Sequence, residues 1–254
     1  MKETKKFEKK LEVLITSGGT VSQIDNVRHI GNFSNGTTGA FIAEEFLKKG
    51  WKVHYLYSKN ALRPFVRQLY ISPYADFEEE IKRVRQAYEE FQKYKDSLIG
   101  TIFWTFDDYY RSVYHTLNHE KIDAVVLVAA VGDYGSEKFG GKISSDKEEL
   151  VIRLKRNPKV ISQIKRWKPG VFQVGFKLLD GISDEEMIEI AYRHGMKNKS
   201  DLTIANRLSG GKVGVFSTYI VFPEKKAIPV VRDKLAERLV EIVGERMNGG
   251  YGNG

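Results

Sequence analysis

The chain has no cysteine, six prolines, five histidines and no unbroken apolar run of membrane-spanning length in its 254 residues. Without cysteine there are no disulfides, no thiolate nucleophile and no Cys-based zinc site. The histidines are expected to be scattered, so no dedicated metal cage is expected. The stretch from Met1 to Lys10 is charged rather than basic-then-apolar and does not read as a secretory leader, so a soluble cytoplasmic protein without membrane partners is expected. Acidic residues are also in deficit, 33 against 41 Lys and Arg, a formal charge of +8. That excess admits a polyanionic small substrate, a membrane surface or nucleic acid. The cations are interleaved with acids, as in Glu44-Glu45 beside Lys48-Lys49, and most of them read as solvated helix faces. No nucleic-acid partner is therefore expected.

With 41% hydrophobic residues, the chain can bury a large core. Short β-branched or aromatic runs recur at Val13 to Ile15, Val53 to Tyr57, Asp123 to Ala130, Val171 to Phe176 and Leu202 to Ala205. Between most of them lie helical patterns such as Ala40 to Lys49 and Ser183 to His194, the latter opened by the capping sequence Ser183-Asp184-Glu185-Glu186. Alternation of this kind predicts an α/β fold, a three-layer Rossmann-like parallel sheet with helices on both faces. One domain is expected over 1–254. Residues 60–120 are expected to form a helical excursion, with Phe77, Ile81, Val84, Tyr88 and Phe91 as a packing stripe. Residues 142–155 read as a projecting β-hairpin, and 248–254 as a disordered tail.

The chemistry concentrates where strands end. Leu11 to Thr16 runs into Ser17-Gly18-Gly19-Thr20, and a long polar detour follows before Ser34-Asn35-Gly36-Thr37-Thr38-Gly39 opens a helix. Small residues on a helix N-terminus present N–H groups to phosphate. There is no G-x-G-x-x-G after the first strand, no P-loop, and no acid after the second strand, where Ser58-Lys59-Asn60 stands. Tyr134 and Lys138 have the spacing of short-chain dehydrogenases, which keeps an NAD(P)-dependent reductase as an alternative. A basic nucleic-acid-binding protein is the other.

Taken together, Gly18-Gly19-Thr20, Val27 to Gly36, Ala129-Ala130-Val131-Gly132-Asp133-Tyr134, Lys142 to Asp146, Arg156-Asn157-Pro158, Val174 to Lys177, Lys197-Asn198 and Ala205-Asn206 resemble, in order, the motifs of phosphopantothenate–cysteine ligases. The resemblance extends from Leu11 to Val243 and to the free-standing form of the enzyme. It implies a ligase of coenzyme A biosynthesis. The carboxylate of 4′-phosphopantothenate would be activated as an acyl-nucleotide by CTP, with ATP as the other choice, and joined to the amine of cysteine. Mg²⁺ would accompany the triphosphate, the protein supplying no metal site of its own, and the chain would be a homodimer.

By the same resemblance, Asn32 would meet the reacting carboxylate and Lys142 the triphosphate as catalytic residues. Arg28, Asn32, Ala129 and Ala130 would bind phosphopantothenate. Gly18, Gly19, Thr20, Ser34, Gly36, Gly39, Asp133, Lys142, Arg156, Asn157, Pro158, Lys159, Phe176, Arg193 and Lys197 would bind nucleotide. The chain departs from the family pattern at Asn35 to Gly39, at Arg193 where many members have Lys, at the extra residues Lys199-Ser200, and at Phe176-Lys177-Leu178.

Overall fold

The computed structural model describes residues 10–146, 148–209 and 212–247. The first half contains β1 (Glu12–Ser17), the ribbon β2 (Val21–Gln23) and β3 (His29–Gly31), α1 (Thr37–Lys48), β4 (Lys52–Ser58), α2 (Phe77–Tyr94), β5 (Leu98–Phe103) and α3 (Phe106–His119). The second contains β6 (Ala124–Leu127), the short pair β7 (Tyr134–Ser136) and β8 (Leu154–Arg156), α4 (Ile164–Trp167), β9 (Phe172–Asp180), α5 (Asp184–Asn198), β10 (Leu202–Ser209), β11 (Lys212–Val221), β12 (Ala227–Pro229) and α6 (Leu235–Met247).

Eight strands form one sheet in the order β12-β11-β10-β9-β6-β1-β4-β5. The six from β10 to β5 are parallel to one another, and β11 and β12 extend the edge antiparallel. From β1 the chain steps outward through β4 to β5, returns to β6 on the other side of β1, and steps outward again. The reversal falls between β1 and β6, and a crevice opens at such a switch point beyond the carboxyl ends of the strands.

Both faces of the sheet are covered, which is why its central strands are apolar at successive positions. Val13 and Ile15 join Val53, Tyr55 and Val126 under α1 and α6, whereas Leu14, Leu56 and Val125 pack against Val113 and Leu117 of α3 and Ile164 of α4. Each fully buried aliphatic side chain of this kind contributes about 1.5–3 kcal/mol. Helix α5 lies over β10 and β11 through Met187, Ala191, Ala205 and Val221, and its N-terminus carries the expected capping box, Ser183 with Glu186.

Three expectations are corrected. Residues 60–120 are not only helical, because Leu98–Phe103 pairs with β4 and forms the edge of the sheet, which makes α2 and α3 ordinary crossover helices. The Phe77 to Phe91 stripe is not a packing face throughout: Phe77 and Tyr88 are exposed, while Phe91 and Tyr94 reach the core. The hairpin at 142–155 does not pair with itself. Leu154–Arg156 pairs instead with Tyr134–Ser136, which is itself anchored to Ser22 and Gln23, and the described residues between the two form no strand. The tail at 248–254 lies outside the described residues, among which no helix is long and apolar enough to cross a membrane.

Candidate functional site

The ends of β1 and β6 continue toward each other past the sheet. Gly19 and Ala130 form an isolated parallel bridge, with the Ala130 N–H donating to the Gly18 carbonyl at 2.7 Å and the Thr20 N–H to the Ala130 carbonyl at 3.2 Å. The Asn32 side-chain amide donates to the same carbonyl at 3.2 Å. The Thr20 hydroxyl accepts from the Gly132 N–H at 2.9 Å, and the Thr16 hydroxyl from the Ala129 N–H at 3.3 Å. Most of the backbone of Ala129 and Ala130 is thus used in joining two strand ends, a structural duty beyond the substrate contacts expected of them.

Above this junction lies a cavity of about 620 Å³. Its walls are the β2–β3 ribbon, the N-terminus of α3 at Thr105 to Asp107, and Val131 to Ser136, with Asn157 and Leu154 closing one side. The ribbon is the polar detour noted in the sequence, folded back on itself and zipped to β7 by Ser22 and Ser136. Thr20, Asn32, Asp133 and Asn157, four of the residues named from the sequence, are brought together in its lining. Asn157 donates to the Gly132 carbonyl at 2.9 Å, and Asp133 pairs with Lys159.

Other expected residues stand elsewhere. Gly18 and Gly39 lie off the cavity wall, in tight packing: a Cβ on Gly39 would come within 2.4 Å of the Ser17 hydroxyl, and one on Gly18, at φ +83°, within 2.1 Å of that of Ser58. Gly36 sits against Ala61 and Ser17 at the N-terminus of α1, next to exposed Ser34. Arg28 gives Nε and Nη2 to Asp25 and Nη2 also to the Ile143 carbonyl. Lys142 is exposed on the loop that follows β7, and Arg156 and Pro158 are exposed at the end of β8. Arg193 points away, three-quarters exposed and paired with Glu189.

The next residue, His194, faces inward. Its ring packs near Gly175, and its Nδ1 is buried without a hydrogen-bond partner among the described residues. Burial, reinforced by the positive charges of Lys177, Lys159 and Lys197, lowers its pKa to about 4. Three ammonium groups near enough to oppose its proton, one of them Lys159 paired with Asp133, and half-buried Phe176 beside Gly175 make an electropositive region suited to a polyanion. Sequence reasoning missed His194, as it missed the α3 N-terminus. Thr105-Phe106-Asp107-Asp108 is a capping box, a signal present in the chain but hidden inside the presumed helical excursion.

Two further expectations are settled by geometry. Tyr134 is in strand β7 and Lys138 lies beyond it, so the dehydrogenase spacing is not presented on a helix. His115 and His119 are not scattered but stack one turn apart on α3, with their ring centroids 4.3 Å apart and His119 hydrogen-bonded to the His115 carbonyl. At the opposite end of the sheet, Glu12, His54 and Glu120 converge, with the Lys52 ammonium 3.0 Å from the Glu12 carboxylate that would be a ligand.

A match to the family described as DNA/pantothenate metabolism flavoprotein C-terminal domain covers residues 8–91 and 105–245. The chain belongs to this family. The coenzyme A biosynthesis bifunctional protein CoaBC of Thermococcus kodakarensis is 32% identical over 230 residues, covering 89% of this chain and 49% of its own length. The chain therefore spans about half of that relative. The human phosphopantothenate–cysteine ligase is 30% identical over 195 residues, 65% of this chain and 63% of the human one. Among solved structures, the DNA/pantothenate metabolism flavoprotein of Streptococcus pneumoniae superimposes with a TM-score of 0.73 at 26% identity, covering 93% and 99% of the two chains. A Cab2 mutant in complex with phosphopantothenate-cysteine gives a TM-score of 0.78 at 25% identity, with 94% and 86% covered. The family's three-layer α/β fold is the one described above.

Proposed function

We propose that this chain is a phosphopantothenate–cysteine ligase that takes CTP in preference to ATP. The observation that carries the reading is the switch-point cavity, with Asn32 in its lining and its lining residue Asp133 paired to Lys159, one of the lysines around His194. The named activities of the relatives support it.

The chemistry follows from the poor reactivity of a carboxylate as an acyl donor. An oxygen of the phosphopantothenate carboxylate attacks the α-phosphorus of the nucleotide, pyrophosphate leaves, and an acyl-nucleotide remains. The amine of cysteine then attacks the acyl carbon, the nucleoside monophosphate departs, and the amine gives up a proton. Catalysis here is positioning and charge neutralisation. Asn32 is held by the Ala130 carbonyl in the cavity lining, where its amide donates to the reacting acyl group as charge develops. Lys159, Lys177 and Lys197 receive the triphosphate, and Lys142 meets it from the loop after β7. Arg28 contacts substrate phosphate across a twofold axis in the homodimer.

Asp107 and Asp133 are the carboxylates that line the cavity, and Asp133 already pairs with Lys159. Two carboxylates suit a magnesium ion brought in by the triphosphate rather than a protein cage. The ion would neutralise phosphate charge there.

Pyrophosphate release by the purified chain, with 4′-phosphopantothenate and either CTP or ATP, with and without cysteine, tests the reading. Release is expected to depend on phosphopantothenate and to be faster with CTP. Asn32→Ala is expected to lower kcat by about 10²-fold or more, as loss of a transition-state donor does. Release without phosphopantothenate, or none with either nucleotide, refutes the assignment.

A further inference from the structure

Between Ser136 and Leu154 the chain has no helix or strand among its described residues, yet Lys142 lies in this stretch at a defined place. Its position has a physical source in the tight turn joining β2 to β3. Asp25 lies in that turn and is 1% exposed. One carboxylate oxygen accepts the N–H groups of Val27 at 2.8 Å and Arg28 at 2.7 Å, closing the turn. The other accepts Nε and Nη2 of Arg28 at 3.0 and 2.7 Å, and the backbone N–H of Ile143 at 3.0 Å. The same Nη2 donates to the Ile143 carbonyl at 2.6 Å. On the other side of Lys142, the Gly141 carbonyl accepts the Asn26 N–H at 3.0 Å, and further back the Phe139 N–H donates to the Ile24 carbonyl at 2.8 Å.

Both peptide neighbours of Lys142 are therefore held by one five-residue turn, while the Lys142 side chain is left exposed. We infer that Asp25 is a positioning residue for Lys142: its buried carboxylate docks the loop after β7 onto the ribbon that walls the cavity and so sets where that ammonium stands. The inference rests on the proposed role of Lys142 for its catalytic consequence, but not for its geometry. An Asp is required because three donors converge on one oxygen; an amide nitrogen there would face Arg28 and Ile143 donor to donor. Burial works against ionisation, and the Arg28 guanidinium with the N–H groups of Val27, Ile143 and Arg28 outweighs it, holding the carboxyl well below its usual range. The carboxylate is thus charged at every pH at which an enzyme works. The arrangement also occupies one edge of the Arg28 guanidinium, so any phosphate contact by Arg28 must use what remains of the fork.

The test compares Asp25→Asn, Lys142→Ala and the double variant of the full chain, by phosphopantothenate-dependent pyrophosphate release and by amide hydrogen exchange. Asp25→Asn is expected to lower kcat by about 10²-fold with KM for phosphopantothenate changed less than about threefold. The double variant is expected to be no slower than Lys142→Ala alone, because a misplaced lysine and a missing one cost the same. Exchange is expected to accelerate about 10²-fold at Ile143, with the β1 and β6 amides unchanged. Multiplying losses in the double variant, an effect on KM alone, or a protected Ile143 amide in Asp25→Asn would each overturn the inference. Should Asp25→Asn fail to fold, Ile143→Pro removes the linking N–H and leaves the Asp25–Arg28 pair intact. It is expected to show the same loss in kcat, and wild-type kcat in that variant overturns the inference. If the wild-type chain releases no pyrophosphate, the proposed function fails; the exchange arm still decides whether Asp25 docks the loop.

Discussion

Two clasps in this chain are built alike and placed differently. In each, a carboxylate and an Arg three residues later pin backbone that lies outside the sheet and the α-helices. Asp25 and Arg28 hold Gly141 to Ile143 with the help of Asn26, and Glu80 and Arg83 hold Gln68 to Ser72. Glu80 stands on α2, an eighteen-residue helix whose own hydrogen bonds fix it before any loop arrives. Asp25 stands in a turn between two three-residue strands, and its carboxylate closes that turn as well as docking the loop. The difference teaches where a substitution is felt. Removing the charge on α2 frees a loop to which no catalytic group is assigned, whereas removing it in the ribbon frees the loop that carries Lys142 while an amide oxygen can still accept the turn's N–H groups.

The sharpest break of the comparison is kinetic. Asp25→Asn is expected to cost about 10²-fold in kcat for pyrophosphate release, while Glu80→Gln is expected to change it less than about threefold. Equal losses in the two variants would mean that the clasps do the same job. Acid sharpens the contrast next. Arg83, with the Ser72 N–H, pulls Glu80 down to about 2 against the opposing effect of burial, and Asp25 is held lower still. Both carboxyls are depressed, so each contributes stability fully above its unfolded value and loses it as pH falls through its folded value. In denaturant melts from pH 6 to pH 2, the stability gap between wild type and Glu80→Gln is expected to close first, with that for Asp25→Asn persisting to lower pH. A gap that widens on acidification would contradict the charged-clasp account.

A third measurement concerns the lysines around His194. His194 is neutral at pH 7 because it is buried and because Lys177, Lys159 and Lys197 repel its proton. A bound triphosphate opposes that field while the burial remains, so calorimetry at pH 5.5 in buffers of different ionisation heat is expected to show a partial proton uptake, below about one per nucleotide, that His194→Gln lacks. No buffer dependence would remove His194 from the electropositive region. The smallest effect serves as a baseline. Ser183→Ala removes a helix cap that pins no loop, and is expected to cost about 1 kcal/mol in stability with no change in kcat.

Much of the fold was legible because burial on both faces of a parallel sheet leaves a simple mark. Val13 to Ile15 and Ala124 to Leu127 are apolar at successive positions, Val171 to Val174 is so except at the buried Gln173, and all are strands or enter one. Strand β5 escaped detection because an edge strand need not be apolar throughout: Gly100 and Thr101 are exposed, and the run looked like a break between helices. In the site, Thr20, Asn32, Asp133 and Asn157 were readable from motifs and do meet at the cavity. Asp25 carries no such mark, although it lies between Thr20 and Arg28. A turn aspartate three residues before an Arg looks like any other until a loop more than a hundred residues away is docked on it.

The sequence by itself determined the layering of this protein, the strands that carry its core and the caps that start α3 and α5. These depend on periodicity and on side chains reaching their own backbone, interactions within a few residues. Only the tertiary structure decided which polar residues face the cavity, that His194 rather than Arg193 turns inward, and that Arg28 is engaged by Asp25 and Ile143. Those outcomes depend on contacts such as Asn32 with Ala130 and Asp25 with Ile143, between residues about a hundred positions apart, and no local pattern encodes which strand ends a switch point will bring together.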